Sequence, residues 1–229
     1  MVIVDYSNFY DPDFGFDSIL SDETAKVIME YIEPNTSILD VGCGTGRVTQ
    51  NFKDNKITLL EQHENYLKIA SERVNPVDAV NSNFLDTTFD TKFDHIFILG
   101  LIHEQENPSE FIKKAKSLLS KNGKLYISWP NPNSFHRIVG KEMGLIESTE
   151  NEISDLGIKL GTLSMMSDQE IERMLNEEGL EVLDKKGACF KPYPNKIMEK
   201  LDKKVVNSLN KLAIKFPEYS SMRLFIANN

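Results

Sequence analysis

A glycine-rich turn that follows a buried strand is the feature of this sequence best suited to chemistry. Residues 38–46 read ILDVGCGTG, so an apolar run ends at Val41 and gives way to Gly42, Gly44 and Gly46. Glycines let the backbone turn sharply and let a ligand touch it without an intervening Cβ. Ligands of open α/β sheets bind at the carboxyl ends of the strands. The run therefore predicts a small-molecule site at a strand-to-helix turn.

An acidic residue at the end of the next apolar run narrows the class of ligand. Glu61 closes the run ITLLE and lies 21 residues after Asp40. A carboxylate there can accept hydrogen bonds from both hydroxyls of a ribose. A dinucleotide site would need a further glycine three residues after Gly44, where this chain has Arg47. The pattern favours a nucleoside ligand without a pyrophosphate.

The elements that must position these residues alternate between strands and helices. Apolar runs predict strands, and apolar residues at helical spacing predict helices between them. The predicted strands are 37–41, 57–61, 78–80, 94–99 and 124–129. The predicted helices are 24–32, 65–74 and 111–119. The motif NPSE at 107–110 predicts a capped start for the last of these helices. Such alternation is typical of a doubly wound, parallel α/β sheet.

The remainder of the chain is less regular. Residues 130–166 show little periodicity and are too long for a plain connection in a compact domain. A capping box then opens a helix at Ser167, and residues 180–183 and 222–227 predict two last strands. Between them, a helical stripe is expected to face the core: Ile197, Leu201, Val205, Leu209, Leu212 and Phe216.

Several of these segments resemble one enzyme family. ILDVGCGTG resembles the first signature of class I S-adenosylmethionine-dependent methyltransferases, and LLEQ at 59–62 resembles their ribose-binding position. NSNFLD at 81–86 is similar to the adenine loop, and 93–108 and 118–128 are similar to later strands. The resemblance implies a Rossmann-like fold with a doubly wound, mostly parallel seven-stranded sheet and an acceptor-pocket insertion after the fifth strand. It also implies S-adenosylmethionine as cofactor and S-adenosylhomocysteine as product.

The resemblance carries roles over to individual positions. It places the methionine end of the cofactor on the backbone of Gly42, Cys43 and Gly44, with Asp40 and the Leu99 carbonyl near the amino group, and it counts Gly46 among the cofactor-binding residues. It assigns the ribose to Glu61 and the adenine to Gln62, Asn83 and Phe84. Two positions depart from the family pattern. Asn83 stands where Asp is usual, although an amide can still pair with adenine, and the usual pair after the fourth strand is reversed as His103-Glu104.

Catalysis of methyl transfer needs in-line positioning of the acceptor, and a hydroxyl acceptor also needs a base. His103 follows the fourth strand and His136 lies in the 130–166 insertion, so these two are the candidate catalytic bases. A purely structural role for either histidine is the alternative. Arg137 is interpreted as an anion contact or as an ion-pair partner of Glu142 or Glu147. No metal site is expected, because Asp, Asn and His do not cluster at ligand spacing.

Residues 1–33 form an aromatic-rich N-terminal segment with Tyr6, Tyr10, Phe14 and Phe16. In the resembled family such a segment often closes over the cofactor as a lid, and packing beneath the sheet is the alternative. Tyr10 is the residue expected to touch the cofactor carboxylate or the substrate.

The overall charge limits the partners. A formal net charge of −9 argues against a broad nucleic-acid surface. No apolar run reaches the length of a membrane span. The two cysteines lack metal-binding spacing and suit a reducing, cytoplasmic setting. We expect one domain over 1–229 that methylates the oxygen or nitrogen of a small molecule, such as a sugar or another biosynthetic intermediate. Methylation of tRNA or protein, or cofactor binding without catalysis, remain alternatives. The acceptor and the oligomeric state are left open.

Overall fold

The computed structural model of the chain describes residues 6–229, and the side chain of Tyr6 and residues 1–5 of the predicted lid lie outside the described part. Seven strands form a sheet: β1 Ser37–Val41, β2 Lys56–Glu61, β3 Asp78–Asn81, β4 Phe93–Leu99, β5 Leu119–Pro130, β6 Glu181–Ala188 and β7 Met222–Asn228. Their order is β3-β2-β1-β4-β5-β7-β6. The first five strands pair in parallel, and β7 runs antiparallel to both of its neighbours. The predicted mostly parallel, doubly wound sheet is confirmed.

Helices cover both faces of this sheet. They are α1 Gly15–Met29, α2 Glu64–Val74, α3 Pro108–Leu118, α4 Phe135–Glu142, α5 Asp155–Lys159, α6 Asp168–Glu177, α7 Asn195–Met198 and α8 Lys203–Lys215. Apolar residues of α3 and α6 pack into one core cluster, whereas those of α1 and α2 pack into a second cluster on the other face. Within residues 6–229, none of the helices combines the length and apolarity needed to cross a bilayer.

The central strands are buried on both faces, as expected for parallel strands between two helical layers. In β1 the side chains of Ile38, Leu39 and Val41 are inaccessible, and Ile96 and Ile98 of β4 pack beside them. Because these strands cannot shift without exposing apolar surface, the turns at their carboxyl ends have fixed positions. The site is built on those turns.

The segment after the glycine turn differs from the prediction. The glycine turn was expected to lead from a strand into a helix, but residues 47–55 hold only a short 3₁₀ turn, Thr49–Asn51. The Asn51 side chain donates to the carbonyl oxygens of Arg47 and Val48, which competes with continued helical bonding. Since β2 begins at Lys56, no room remains for a longer helix.

Three further expectations need correction. Asn107 precedes α3, but its side chain makes no capping hydrogen bond, whereas the capping box at Ser167 is confirmed. The strand predicted at 180–183 extends to Ala188 because it pairs with β7 along that length. The stripe on the last helices is rotated, since Val205 is 46% exposed while Val206 is buried in its place. The contact that orients α8 is its packing on Phe16 and Met198, which the sequence pattern does not reveal.

Candidate active site

A cavity of about 860 Å³ lies at the carboxyl edge of the sheet. The ends of β1, β2 and β5 contribute Val41, Glu61 and Pro130 to its wall, and β7 contributes Met222 at its start. The N-terminal segment and residues 154–163 of the insertion complete the wall. This volume is at the upper end of the range of about 300–1,000 Å³ for small-molecule sites, so the cavity has room for a nucleoside ligand and a second small molecule.

The glycine turn forms the floor of the cavity. Gly42, Gly44 and Gly46 have φ angles of 70°, 53° and 72°, in the left-handed region that strains other residues. A Cβ added to Gly44 would meet no atom within 4 Å, and Gly44 lines the cavity. A Cβ on Gly46 would lie 2.9 Å from the Cγ2 atom of Val74. Gly44 therefore keeps backbone open to a ligand, whereas Gly46 permits the close packing of α2.

Glu61 lies beside this turn and is 4% exposed. Its Oε2 atom accepts a hydrogen bond of 2.9 Å from the Gly44 amide, and its Oε1 atom accepts one of 2.9 Å from the His63 amide. A carboxylate offers about four acceptor positions. Two therefore remain for donors in the cavity, which fits the two hydroxyls of a ribose.

Asp40 lies below the turn rather than on the cavity wall. It is buried, its Oδ2 atom accepts a hydrogen bond from the Thr49 hydroxyl, and burial raises the pKa of its carboxyl to about 7. Cys43, Gly46 and Leu99 also do not contribute to the cavity wall. Burial raises the pKa of the Cys43 thiol, so this cysteine is not a reactive thiolate.

The predicted adenine residues form one side of the cavity. Gln62, Asn83 and Phe84 all line it. The Asn83 Oδ1 atom accepts a hydrogen bond of 2.8 Å from the Leu85 amide, which leaves its Nδ2 donors for other partners. Phe84 is buried against Phe111, with ring centroids 5.4 Å apart. The roles of these residues toward a cofactor stay predictions.

The N-terminal segment crosses from α2 to α7 above the turn. The Tyr66 hydroxyl donates to the Tyr10 carbonyl at 2.6 Å, and Tyr10 lines the cavity. Asp13 accepts hydrogen bonds from Arg73 at 2.7 Å and from the Thr45 hydroxyl at 3.0 Å. Phe16 is buried in a core cluster, whereas Phe14 is exposed. The segment is thus tied to the turn, and its action as a lid stays a prediction.

The two candidate bases lie in different surroundings. His103 is buried and lines the cavity, and burial lowers the pKa of its imidazole to about 4. Its Nδ1 atom has no hydrogen-bond partner among residues 6–229. His136 is not part of the cavity wall, and burial, with Lys191 and Arg137 nearby, lowers its pKa to about 3. At neutral pH both imidazoles are uncharged.

Arg137 has a role in the insertion that the sequence did not indicate. Its guanidinium donates to the carbonyl oxygens of Thr149, at 3.0 Å, and Glu152, at 2.5 Å. It therefore holds the insertion together through backbone oxygens, and the ion pairs expected with Glu142 or Glu147 are not formed.

Sequence reasoning missed a polar cluster on the cavity wall. Asp17, Lys191 and Asn195 all line the cavity, together with Tyr10. The Tyr10 hydroxyl donates to Asp17 at 2.7 Å, and Asn195 donates to the other Asp17 oxygen at 3.1 Å. These residues come from distant parts of the chain and carry no local motif.

Comparison with known proteins agrees with this geometry. A family profile described as a methyltransferase domain matches residues 16–185, about three quarters of the chain. The chain is 26% identical over 199 residues to an uncharacterized protein of Methanocaldococcus jannaschii, covering 86% of this chain and 87% of that one. It is also 26% identical over 129 residues to pavine N-methyltransferase of Thalictrum flavum, covering 50% of this chain. The chain spans about a third of the length of the plant enzymes it matches.

A solved structure has the same fold along nearly all of the chain. It is an S-adenosylmethionine-dependent methyltransferase of Thermotoga maritima, described as a possible histamine N-methyltransferase, with a TM-score of 0.68 and 15% identity. The match covers 97% of each chain. Together with the family profile, it shows that this chain belongs to the class I S-adenosylmethionine-dependent methyltransferases.

Proposed function

We propose that this enzyme methylates the nitrogen of a small amine held in the cavity. The observation that carries the proposal is the charge of the cavity wall. Away from Glu61, the carboxylates of Asp17, Glu104 and Glu106 line the cavity. Lys191 is the one Lys or Arg among the described lining residues. A wall with this excess of negative charge attracts a protonated amine from solvent.

The proposal assigns the cofactor to the half of the cavity built by β1–β3. Gly42, Gly44 and Glu61 would hold its methionine and ribose parts, with Asn83 and Phe84 at the adenine. When bound, S-adenosylmethionine supplies the activated methyl group. The residues of the other half then have to bind the acceptor, orient its nitrogen and remove water from around it.

Nitrogen is favoured over oxygen because the two candidate bases are weak. A hydroxyl acceptor needs a base whose pKa lies near the working pH. The pKa values of about 4 for His103 and about 3 for His136 are far below neutrality. An amine needs only to lose its ammonium proton before attack. Glu104, whose Oε1 atom lies 3.8 Å from the Nε2 atom of His103, can accept a hydrogen bond from the ammonium group before its proton is lost to solvent.

The names of similar proteins support the same class of acceptor. The plant relatives are named as N-methyltransferases, and the Thermotoga maritima protein is described as a possible histamine N-methyltransferase. Enzymes that act on tRNA are expected to have a basic face, whereas this chain has a net charge of −9.

The test is a methylation assay with matched amine and hydroxyl acceptors, read as S-adenosylhomocysteine release. We expect methylation of amines, and KM for the amine raised about tenfold in Glu104→Gln, because a charge-assisted hydrogen bond is lost. Glu110→Gln is the control, because Glu110 is exposed on α3 and does not line the cavity. Turnover of phenols or sugars without turnover of amines would show that the proposal is wrong.

A further inference from the structure

Lys191 is the cationic residue of the cavity wall, and its ammonium group has unused hydrogen-bonding capacity. It donates a hydrogen bond of 2.6 Å to the Oδ1 atom of Asn195. On another side, its Nζ atom lies 5.6 Å from the centroid of the Phe16 ring. An ammonium has three donors, and among residues 6–229 Asn195 is its hydrogen-bond acceptor. Because Lys191 lines the cavity, a bound molecule can take the remaining donors.

Asn195 bridges this ammonium and the carboxylate of Asp17. Its Oδ1 atom accepts from Lys191, while its Nδ2 atom donates to Asp17 Oδ1 at 3.1 Å. The other Asp17 oxygen is occupied by the Tyr10 hydroxyl. The amide therefore fixes the lysine without neutralising it through direct contact. Burial lowers the pKa of Lys191 and outweighs the charge of Asp17, which raises it. A carboxylate bound beside Lys191 would favour its ammonium form.

The position of Lys191 in the fold separates it from the cofactor half. Gly42 and Gly44 follow β1 and Glu61 ends β2, whereas Lys191 follows β6, at the opposite edge of the sheet. Pro130 at the end of β5 and Met222 at the start of β7 line the cavity on the β6 side. A ligand group at Lys191 therefore lies on the acceptor side of the cavity.

We propose that Lys191, held by Asn195, binds a carboxylate of the acceptor, so that the substrate is an amino acid or another amine that carries a carboxylate. The charges favour a monoanion. The Asn195 amide bridges Asp17 and Lys191, so the two charged groups together have no net charge. A dianionic phosphate would be repelled by Asp17 and would find no second cation to offset its extra charge. The identification of the acceptor as an amine rests on the proposed function. The assignment of a carboxylate to Lys191 does not depend on it.

The first test measures binding, independently of turnover. Phenylalanine, histidine, tyrosine and β-alanine, each paired with its primary amide, are titrated calorimetrically into the complex with S-adenosylhomocysteine. The amide keeps the size and the amine but removes the negative charge. For at least one pair we expect the wild type to bind the acid about 10- to 100-fold more tightly, as for a charge-assisted contact. Lys191→Met should abolish this preference, and Lys191→Arg should retain it.

Two controls separate the acceptor from the cofactor. Lys196→Met removes an exposed lysine of α7 that does not line the cavity, and it should leave the preference unchanged. S-adenosylhomocysteine should bind to Lys191→Met within about twofold of its wild-type affinity. A loss of cofactor affinity as large as the loss of acid affinity would assign Lys191 to the cofactor carboxylate and overturn the proposal.

The remaining outcomes distinguish this proposal from the proposed function. It is overturned if acid and amide bind equally in every pair, or if Lys191→Met keeps the preference for the acid. If acids bind through Lys191 but only hydroxy acids are methylated, the carboxylate site stands and the assignment of nitrogen as methyl acceptor is wrong.

Discussion

Replacing Glu61 by alanine tests whether the carboxylate beside the glycine turn holds the ribose. In the structure this side chain accepts hydrogen bonds from the amides of Gly44 and His63. Its other two acceptor positions are available to the ribose hydroxyls. The substitution therefore removes two bonds within the protein, and we expect it also to remove two bonds to the cofactor.

The two losses have different magnitudes. Each buried amide left without an acceptor costs about 1–3 kcal/mol. Because Glu61 lines the cavity, water can enter and solvate both amides, so the free energy of unfolding should fall by only about 2 kcal/mol. Loss of the charge-assisted bonds to the cofactor should weaken binding by about 1.5–3 kcal/mol, which is about 10- to 150-fold in Kd.

Calorimetric titration of S-adenosylhomocysteine and urea unfolding measure the two effects separately. Glu72→Ala is the matched control, since Glu72 is exposed on α2 and does not line the cavity. It should change neither quantity. If Glu61→Ala binds the ligand with wild-type affinity while remaining folded, Glu61 does not hold the ribose.

Three further changes probe the turn, the N-terminal segment and the buried histidine. Gly44→Ala should lower cofactor affinity more than tenfold. Gly144→Ala is the control, because Gly144 has a comparable φ of 67° and its added Cβ would also meet no atom, and it should leave the affinity unchanged. Equal affinities of the two variants in calorimetry would contradict the assignment of Gly44 to the cofactor site. Asp13→Ala removes the carboxylate that pairs with Arg73 and accepts from the Thr45 hydroxyl. It should raise the dissociation rate of S-adenosylhomocysteine several-fold in stopped-flow measurements; an unchanged rate would show that this contact does not retain the ligand. Because burial lowers the pKa of His103 from 6.5 to about 4, the folded state resists its protonation, and its contribution to stability is present above pH 6.5 and is lost as the pH falls. Relative to His103→Gln, the wild type should lose about 2 kcal/mol of unfolding free energy between pH 7.5 and pH 5; a constant difference in urea unfolding would show that the imidazole titrates normally.

The comparison with the variant matters because other buried groups, among them Asp40, also have pKa values that are shifted by burial. Asp40 has a pKa raised to about 7 by burial, so the folded state takes up a proton there more readily than the unfolded state. This stabilises the fold as the pH falls and opposes the effect of His103. Since both proteins contain Asp40, its contribution cancels in the difference.

The cofactor half of the site could be predicted from the sequence because its signals are local. The apolar run of β1, the glycines that follow it and the acid that ends β2 lie within 25 residues of one another. Parallel pairing of β1 with β2 places Asp40 beside Leu59 and Val41 beside Leu60, so the glycine turn and Glu61 must meet. Neither the glycine turn nor its contact with Glu61 depends on residues that are distant in the sequence.

The acceptor half could not be predicted because its residues meet only in three dimensions. Asp17 and Asn195 are 178 residues apart, and both look like ordinary surface residues in the sequence. The same limit explains the rotated stripe of α8. Helical spacing identifies an apolar face, but the residues that are buried depend on contacts with Phe16, Cys189 and Met198.

The N-terminal segment contacts both halves of the cavity, so its position affects the binding of cofactor and acceptor alike. Asp13 holds it to the glycine turn through Thr45 and Arg73, while Asp17 holds it to α7 through Asn195. Only three residues therefore separate a contact of the cofactor half from a contact of the acceptor half. A displacement of this segment must disturb both, because so short a connection cannot absorb the movement of one end alone. Variation at positions 13–17 is thus expected to change cofactor retention and acceptor affinity together.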